Sequence, residues 1–316
     1  MKILLAPMEG VIDHHMRAIL TGVGGYDGCV TEFLRITDQQ LPARVFKRTA
    51  PELLGDAHTP TGQPVIFQLL GGDPEMMAFN ARKAVELGAP AIDINFGCPS
   101  KFVSRKNGGA VLLREPQRVH SIVAAVREAV DMSVPVTAKM RLGYEDDTLA
   151  LENALAIESA GAAELAVHAR TKVEGYRPPA RWEALAPLRE ALSIPLIANG
   201  DIRSVQDYLR CREISGCNDI MLGRGAICNP YLALQIKNGT SKEETPDVCW
   251  EEISILIIAC AERMKQDYPN KHIIMRIKQW LGMMKEQQPQ AREIFKQARV
   301  MKELKEVENI LREVTQ

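Results

Sequence analysis

The sequence predicts an α/β fold, a closed (β/α)₈ barrel of the TIM type, followed by a small C-terminal α-helical bundle. Three observations lead there. Eight short apolar runs alternate with longer helix-period segments as far as about Ile227, the residues just after each run are polar or glycine-rich, and the text beyond residue 246 is purely helical.

The eight runs are Lys2–Ala6, Gly28–Thr31, Pro64–Leu69, Ala91–Ile94, Val134–Ala138, Glu164–Val167, Ile194–Ala198 and Asp219–Leu222. Apart from their Asp and Glu residues they are nearly all apolar, as strands buried on both faces should be. Helix-period segments such as Pro74–Leu87 and Pro116–Val130 separate them. Eight such units in roughly 230 residues suit a closed barrel better than an open sheet. The polar stretch 239–246, punctuated by Gly239 and Pro246, reads as a linker. After it, Asp247 is expected to cap a helix through Gln266, Asn270 a second through Glu286, and Pro289 to open a third running to about Val314. The expected division is therefore a barrel domain (1–238), a linker (239–246) and a helical domain (247–316).

Composition excludes several classes. Of 316 residues 46% are hydrophobic and 25% charged, with a formal net charge of -1, so overall charge selects no partner. The apolar stretch at Met1–Met8 is too short for a signal peptide and meets Glu9. No apolar run reaches the ~20 residues of a membrane span, and a cytoplasmic protein is the expectation. Seven scattered cysteines without a CxxC pair support neither a disulfide framework nor a metal site.

Barrel enzymes assemble their sites from strand C-terminal ends and the loops that follow. Here those ends deliver Met8-Glu9-Gly10, Glu32, Gln68, Asn95 with Cys98, Lys139-Met140-Arg141, His168 with Arg170, Asn199-Gly200-Asp201 and Gly223-Arg224-Gly225. Asn95-Phe96-Gly97-Cys98-Pro99-Ser100 stands out because a strand that runs into a Gly-Cys-Pro turn lifts its sulfur into the mouth. A free cysteine is more often a buried structural residue, but Pro99 ends the strand and Gly97 strips cover from the turn. Cys98 is therefore the leading candidate for chemistry. The last two strand ends offer backbone N–H groups near glycine and the Arg224 guanidinium, a plausible phosphate cradle, although ordinary glycine loops look the same. Lys139 and His168, on consecutive ends, could stabilise an electron-rich ring, and Gln68 could bond its edge; a satisfied core histidine is the equal alternative for His168.

The C-terminal segment hides a charge asymmetry. From Arg263 to Lys302 there are ten Lys/Arg against three acids, a local net of +7. Arg292, Lys296 and Arg299 share one helical face opposite Ile294, Ala298 and Met301, a stripe suited to RNA or DNA phosphates and otherwise a solvated face.

Together Leu5-Ala6-Pro7-Met8-Glu9-Gly10, Thr31-Glu32-Phe33, Gln68-Leu69-Leu70-Gly71, the Asn-x-Gly-Cys-Pro-Ser-Lys turn at 95–101, Lys139-Met140-Arg141-Leu142-Gly143, His168-Ala169-Arg170-Thr171, Asn199-Gly200-Asp201-Ile202 and Gly223-Arg224-Gly225 form a pattern spanning nearly the whole chain. In it the chain resembles the tRNA-dihydrouridine synthases, flavin mononucleotide (FMN) barrel enzymes with a C-terminal helical domain. Arg35 and Arg276-Ile277-Lys278-Gln279-Trp280 resemble the bacterial C-type, which reduces uridine 16 of the D-loop. Two positions depart from the pattern: Phe96 stands where relatives often carry Cys or Met, and Asn107, after Lys106, where glycine is common.

The resemblance implies that Pro7, Met8 and Glu9 line the flavin ring with Gln68, Lys139 and His168. By the same likeness, Asn199, Gly200, Asp201, Gly223 and Arg224 hold the ribityl phosphate. Asn95 and Tyr176 are expected to face the uridine, and Arg35, Arg276, Lys278 and Arg299 to contact tRNA. Reduced flavin would give hydride to uracil C6 and Cys98, as general acid, a proton to C5. The target base has to be extruded from the folded tRNA. NADPH or NADH is the expected reductant, since no GxGxxG fingerprint marks a bound dinucleotide; a monomer without a stable protein partner or a metal completes the expectation. Two other readings stay open. One is a flavin barrel reducing a small molecule of dihydroorotate or enoate type, and the other a non-catalytic RNA-binding protein on a barrel scaffold.

Overall fold

The computed structural model describes residues 1–104, 107–239 and 248–313. Nine strands alternate with helices: β1 (Ile3–Leu5), α1 (His14–Val23), β2 (Gly28–Val30), β3 (Leu34–Arg35), α2 (Ala43–Thr49), β4 (Val65–Leu70), α3 (Pro74–Glu86), β5 (Ile92–Phe96), α4 (Lys101–Ser104), α5 (Pro116–Ala129), β6 (Val136–Arg141), α6 (Ala150–Ser159), β7 (Glu164–His168), α7 (Ala186–Ala191), β8 (Leu196–Asn199), α8 (Val205–Ser215), β9 (Asp219–Leu222), α9 (Arg224–Cys228) and α10 (Leu232–Lys237). All pairings are parallel, in the order β2-β1-β9-β8-β7-β6-β5-β4-β3, and β2 also pairs with β4, which closes the barrel. The eight-unit reading thus holds.

The ninth strand was not foreseen, and it is half of an interrupted one. Both β2 and β3 pair with β4, Val30 opposite Ile66 and Leu34 opposite Leu69, so the bulged strand carries one extra residue. Thr31 bridges the gap through its hydroxyl, which accepts the Gln68 N–H at 2.9 Å. The bulge puts Glu32 and Phe33 at the mouth.

Two-residue periodicity explains the acids inside the strands. The inward positions at the lower and middle levels are the small cluster Leu4, Ala6, Val30, Ile66, Ala91, Ala166, Ile197 and Met221. Below them Glu164 pairs with Lys2, and Asp219 accepts the Lys2 N–H at 2.7 Å. The outward positions pack with the surrounding helices in a much larger apolar core. Helix starts follow ordinary capping chemistry: the side chains of Asp13, Asp73 and Ser204 accept the N–H three residues on, at the starts of α1, α3 and α8.

Four more helices follow, α11 (Trp250–Met264), α12 (Asn270–Met284), α13 (Pro289–Ala298) and α14 (Leu304–Glu313). Most of the expected linker and the Asp247 cap lie outside the described residues, as do Lys106 and Val314. The third expected helix is in fact two, broken over 299–303. Lys278 stabilises the break by donating to the carbonyls of Arg299 (3.2 Å) and Met301 (2.7 Å), which continuation of the helix would have satisfied. Ile294 and Ala298 are buried as the helical face required.

Helices α11 and α12 dock on α1 and α9. The Trp280 indole, buried on α12, donates to the Ile227 carbonyl at 2.9 Å. Arg276, only 13% exposed, donates to the carbonyls of Gly10 and Val11 and pairs with Asp13 at 3.0 Å. Its expected role on tRNA is therefore secondary to tying the helices to the first barrel loop. Arg276→Ala removes these interdomain bonds to exposed and half-buried acceptors and should cost about 0.5–1.5 kcal/mol of stability, read as a lowered denaturation midpoint.

Candidate active site

A cavity of about 420 Å³ opens at the C-terminal ends of the strands. Every residue expected to hold the cofactor lines it: Pro7, Met8, Glu9, Gln68, Lys139, His168, Asn199, Gly200, Asp201, Gly223 and Arg224. So do Cys98, Asn95 and Tyr176. Register is the reason, because Asn95 lies opposite Lys139, Arg141 opposite His168, and His168 opposite Asn199 on neighbouring parallel strands. Arg35, Arg276, Lys278 and Arg299 are not in the lining. Arg35 stacks over the exposed Phe102 ring at 4.3 Å, and Arg299 is exposed on the helical bundle.

A chain of buried hydrogen bonds holds the thiol loop. Thr137 donates to Asp93 (2.6 Å), Gln68 donates to the other oxygen of Asp93 (2.6 Å), and Asn95 donates to Gln68 (2.8 Å). The Asn95 oxygen then accepts the N–H groups of Gly97 (2.8 Å) and Cys98 (2.9 Å). Asn95 therefore shapes the turn as well as lining the cavity. Burial pushes the Cys98 thiol above its ordinary range, outweighing a lowering Ser100 backbone hydrogen bond; Glu9 adds a smaller raising effect and Arg141 a smaller lowering one. The sulfur thus stays protonated at neutral pH. Of the other six cysteines five are buried and Cys249 is exposed away from the cavity.

The loop that follows packs directly under this turn. Asn107 adopts φ +51°, a left-handed conformation asparagine tolerates, which accounts for a non-glycine there. Gly109 has φ +67°, and a Cβ on it would stand 2.8 Å from the Cys98 carbonyl oxygen. Gly109→Ala should displace the thiol and lower turnover at least tenfold while leaving the circular-dichroism spectrum unchanged.

Several cations share the cavity with the thiol. Lys139 is half-buried at the cavity wall, donates to Asn199 at 3.0 Å, and has its pKa lowered to about 8 chiefly by desolvation, with Arg141 contributing and Asp93 opposing. His168 is held well below its usual range, by burial first and then by Lys139, Arg141, Arg170 and Arg224, so it is neutral. Arg170 faces His168 Nε2 at 3.2 Å, which makes Nε2 the acceptor and puts the proton on Nδ1.

Asp201 lines the cavity, and its side chain is held by neighbouring groups. Its carboxylate pairs with Arg170, accepts the Ala180 N–H at 2.9 Å and meets Arg224 at 3.2 Å. A carboxylate repels phosphate; its contribution here is to aim Arg224, with Arg203 also lining the cavity. Next to it Gly200 has φ +122°, and a Cβ there would fall 3.0 Å from the His168 ring.

Three contributors were missed in sequence. Arg141, fully buried, donates to the carbonyls of Gly97 (2.8 Å), Thr171 (2.9 Å) and Gly175 (2.9 Å), joining the thiol turn to the loop carrying Tyr176. Its strand-end position was visible, but its partners were not. Arg170 was noted as a strand exit without a role. Met283, from α12, reaches the cavity and makes the helical bundle part of its wall.

A parallel barrel with a buried cation, a glycine-lined basic cradle and a protonated thiol at one mouth defines a cofactor-dependent redox enzyme. The chain matches the family model described as dihydrouridine synthase (Dus) over residues 4–315, and it belongs to that family of flavin-dependent oxidoreductases. It is 49% identical over 311 residues to the tRNA-dihydrouridine(16) synthase of Shewanella oneidensis, covering 98% of this chain and 97% of that one. Its likeness to the tRNA-dihydrouridine(16) synthase of Pseudomonas putida is 48% over 299 residues (95% and 93%), and to that of Neisseria meningitidis serogroup B 47% over 313 residues (99% and 94%). Among solved structures, histamine dehydrogenase from Rhizobium sp. 4-9 superposes with a TM-score of 0.56 at 16% identity, over 83% of this chain and 48% of that longer one. That likeness concerns the fold.

Proposed function

We propose that the protein reduces uridine 16 of tRNA to 5,6-dihydrouridine, using FMN held in the barrel mouth and NADPH or NADH as the hydride source. The observation that carries this reading is the Cys98 thiol, its turn fixed by Asn95 on the rim of a cavity that also holds Lys139 on the neighbouring strand. The residues present fit a flavin. Gly200, Gly223 and Arg224 suit its phosphate and Lys139 with Gln68 the polar edge of its ring, and the cavity is closed to larger side chains at Gly200.

When bound, the flavin supplies the hydride that uracil C6 accepts. The protein's own task is the proton. As electron density builds at C5, Cys98 donates its hydrogen there, and the thiolate recovers a proton from solvent, so that one hydride and one proton are added across the C5–C6 bond. Neutral His168 keeps the cavity wall polar without supplying a competing acid, and Arg170, paired with Asp201, backs it from outside the lining. Tyr176, with Arg141 at 5.0 Å and Arg224 at 5.5 Å from its ring, covers the entrance where an extruded base would stack.

The domain division proposed is catalytic for 1–238 and tRNA-binding for 247–316, with Arg299, Arg35 and the basic face of α13 on the substrate side. Lys278 and Arg276 serve it indirectly through their helix-end and interdomain bonds. Arg299→Ala should weaken tRNA binding and reduce the slope of log affinity against log salt by about 1. An unchanged slope contradicts its place on the interface. Among the described residues no helix is long and apolar enough to cross a membrane, and a cytoplasmic site of action follows from the proposed substrate.

Purified protein tested with NADPH on tRNA and on small enones separates this reading from a small-molecule oxidoreductase. Oxidation of NADPH that depends on tRNA supports it. Turnover of enones alone overturns it.

A further inference from the structure

Away from the catalytic cavity, three side chains from distant parts of the sequence meet where the helical bundle docks on the barrel. His14 and His15 open α1, and Asp267 follows the end of α11. Their ligand-bearing atoms all lie within 4.8 Å of one another. His14 Nε2 stands 3.1 Å and His15 Nε2 2.9 Å from the same carboxylate oxygen. The two imidazole centroids are 3.8 Å apart.

One feature of this cluster is costly unless something else binds there. His15 is 97% buried, yet neither ring nitrogen makes a hydrogen bond: Nε2 is close to Asp267 but off the line a bond requires, and Nδ1 has no partner. Leaving a buried polar atom unsatisfied is unfavourable. An imidazole nitrogen without a protein partner is free to coordinate a metal ion.

We propose that His14, His15 and Asp267 bind one divalent transition-metal ion of the zinc class, stapling α1 of the barrel to the turn after α11. Two imidazoles and one carboxylate are a borderline-soft set that favours Zn²⁺, Co²⁺ or Ni²⁺ over Mg²⁺ or Ca²⁺, and water completes the shell. Any proton either imidazole directs at the carboxylate is released as the metal binds. Asp13, at the N-terminal cap of α1, adds negative charge, while Arg263 opposes it. Asp267 is 49% exposed, so the ion has a route from solvent. Sequence spacing does not reveal these three ligands, because more than 250 residues separate the histidines from the aspartate.

The test uses the tag-free, flavin-loaded full chain. Titration with Co²⁺ should give one equivalent and a ligand-field band to the red of the flavin absorption, displaced by Zn²⁺. Zn²⁺ should raise the unfolding midpoint of the wild type. His14→Ala and Asp267→Asn, both at solvent-accessible positions, should each weaken binding by roughly tenfold or more and abolish the midpoint shift, while tRNA reduction is unchanged. Absence of one-equivalent binding in the wild type, or equal binding by the two variants, overturns the site.

Discussion

Cys98→Ala should leave a yellow, folded protein that still binds tRNA and turns over roughly 10²–10⁴-fold more slowly, the usual contribution of a positioned general acid. The expectation rests on where the sulfur sits. Its turn is held by the Asn95 side chain and by Arg141, neither of which needs the thiol, so removing sulfur subtracts the proton donor without disturbing the loop. NADPH-driven bleaching of the flavin should proceed normally in the variant, and only the step requiring uridine should slow. The pH behaviour provides a second readout. Because burial raises the thiol pKa, the proton is lost only above the ordinary range, so alkylation of Cys98 by iodoacetamide should be slow at pH 7–8 and keep accelerating beyond pH 9. Rapid labelling at pH 7 would mean a thiolate, and a nucleophile rather than an acid.

Lys139→Met should do two opposite things. In catalysis it removes the ammonium group from the ring side of the cavity, and a loss of roughly 10²–10³ in kcat is expected, comparable to deleting a preorganised electrostatic partner. In stability it should help. The lysine's pKa falls from about 10.5 to about 8 on burial, so charging it in the folded state is penalised. That penalty, on the order of 3 kcal/mol, is fully present below pH 8 and fades as pH rises toward 10.5, where the unfolded chain also loses the proton. Flavin-free Lys139→Met should therefore unfold at a higher temperature than wild type at pH 7, and the difference should shrink in alkaline buffer. The wild type's affinity for FMN should fall as pH rises through about 8, and the variant should lack that step. A destabilised variant at pH 7 would show that the ammonium is a structural bond to Asn199 rather than a charge retained for function.

Much of this architecture was legible before any coordinates. Strands buried on both faces have to be apolar, so Ile92, Ile94, Ile197 and Leu222 announce themselves, and an inward polar residue at the end of such a run, such as Lys139 or Asn199, can only look into the mouth. The closed parallel order brings those ends together without further information. What stayed hidden were bonds between residues with no periodic relation. Nothing in the text of β6 says that Arg141 spans the Gly97, Thr171 and Gly175 carbonyls. Likewise the bulge at Thr31 depends on a hydroxyl standing in for a ladder bond, and the split between α13 and α14 depends on Lys278 from another helix satisfying freed carbonyls. The expectation that Arg276 contacts tRNA came from the resemblance of 276–280 to a family signature, which is silent on the bonds the structure adds from that guanidinium to Gly10, Val11 and Asp13.

Loaded with FMN, this cavity should add a hydride and a proton across the C5–C6 bond of one D-loop uridine. Incubating unmodified tRNA transcript with the purified protein and NADPH, then mapping nuclease fragments by mass spectrometry, tests it directly. The account predicts a gain of two hydrogen masses confined to uridine 16, absent with Cys98→Ala at the same incubation time. An unmodified transcript, or a gain at another uridine with position 16 untouched, would contradict it.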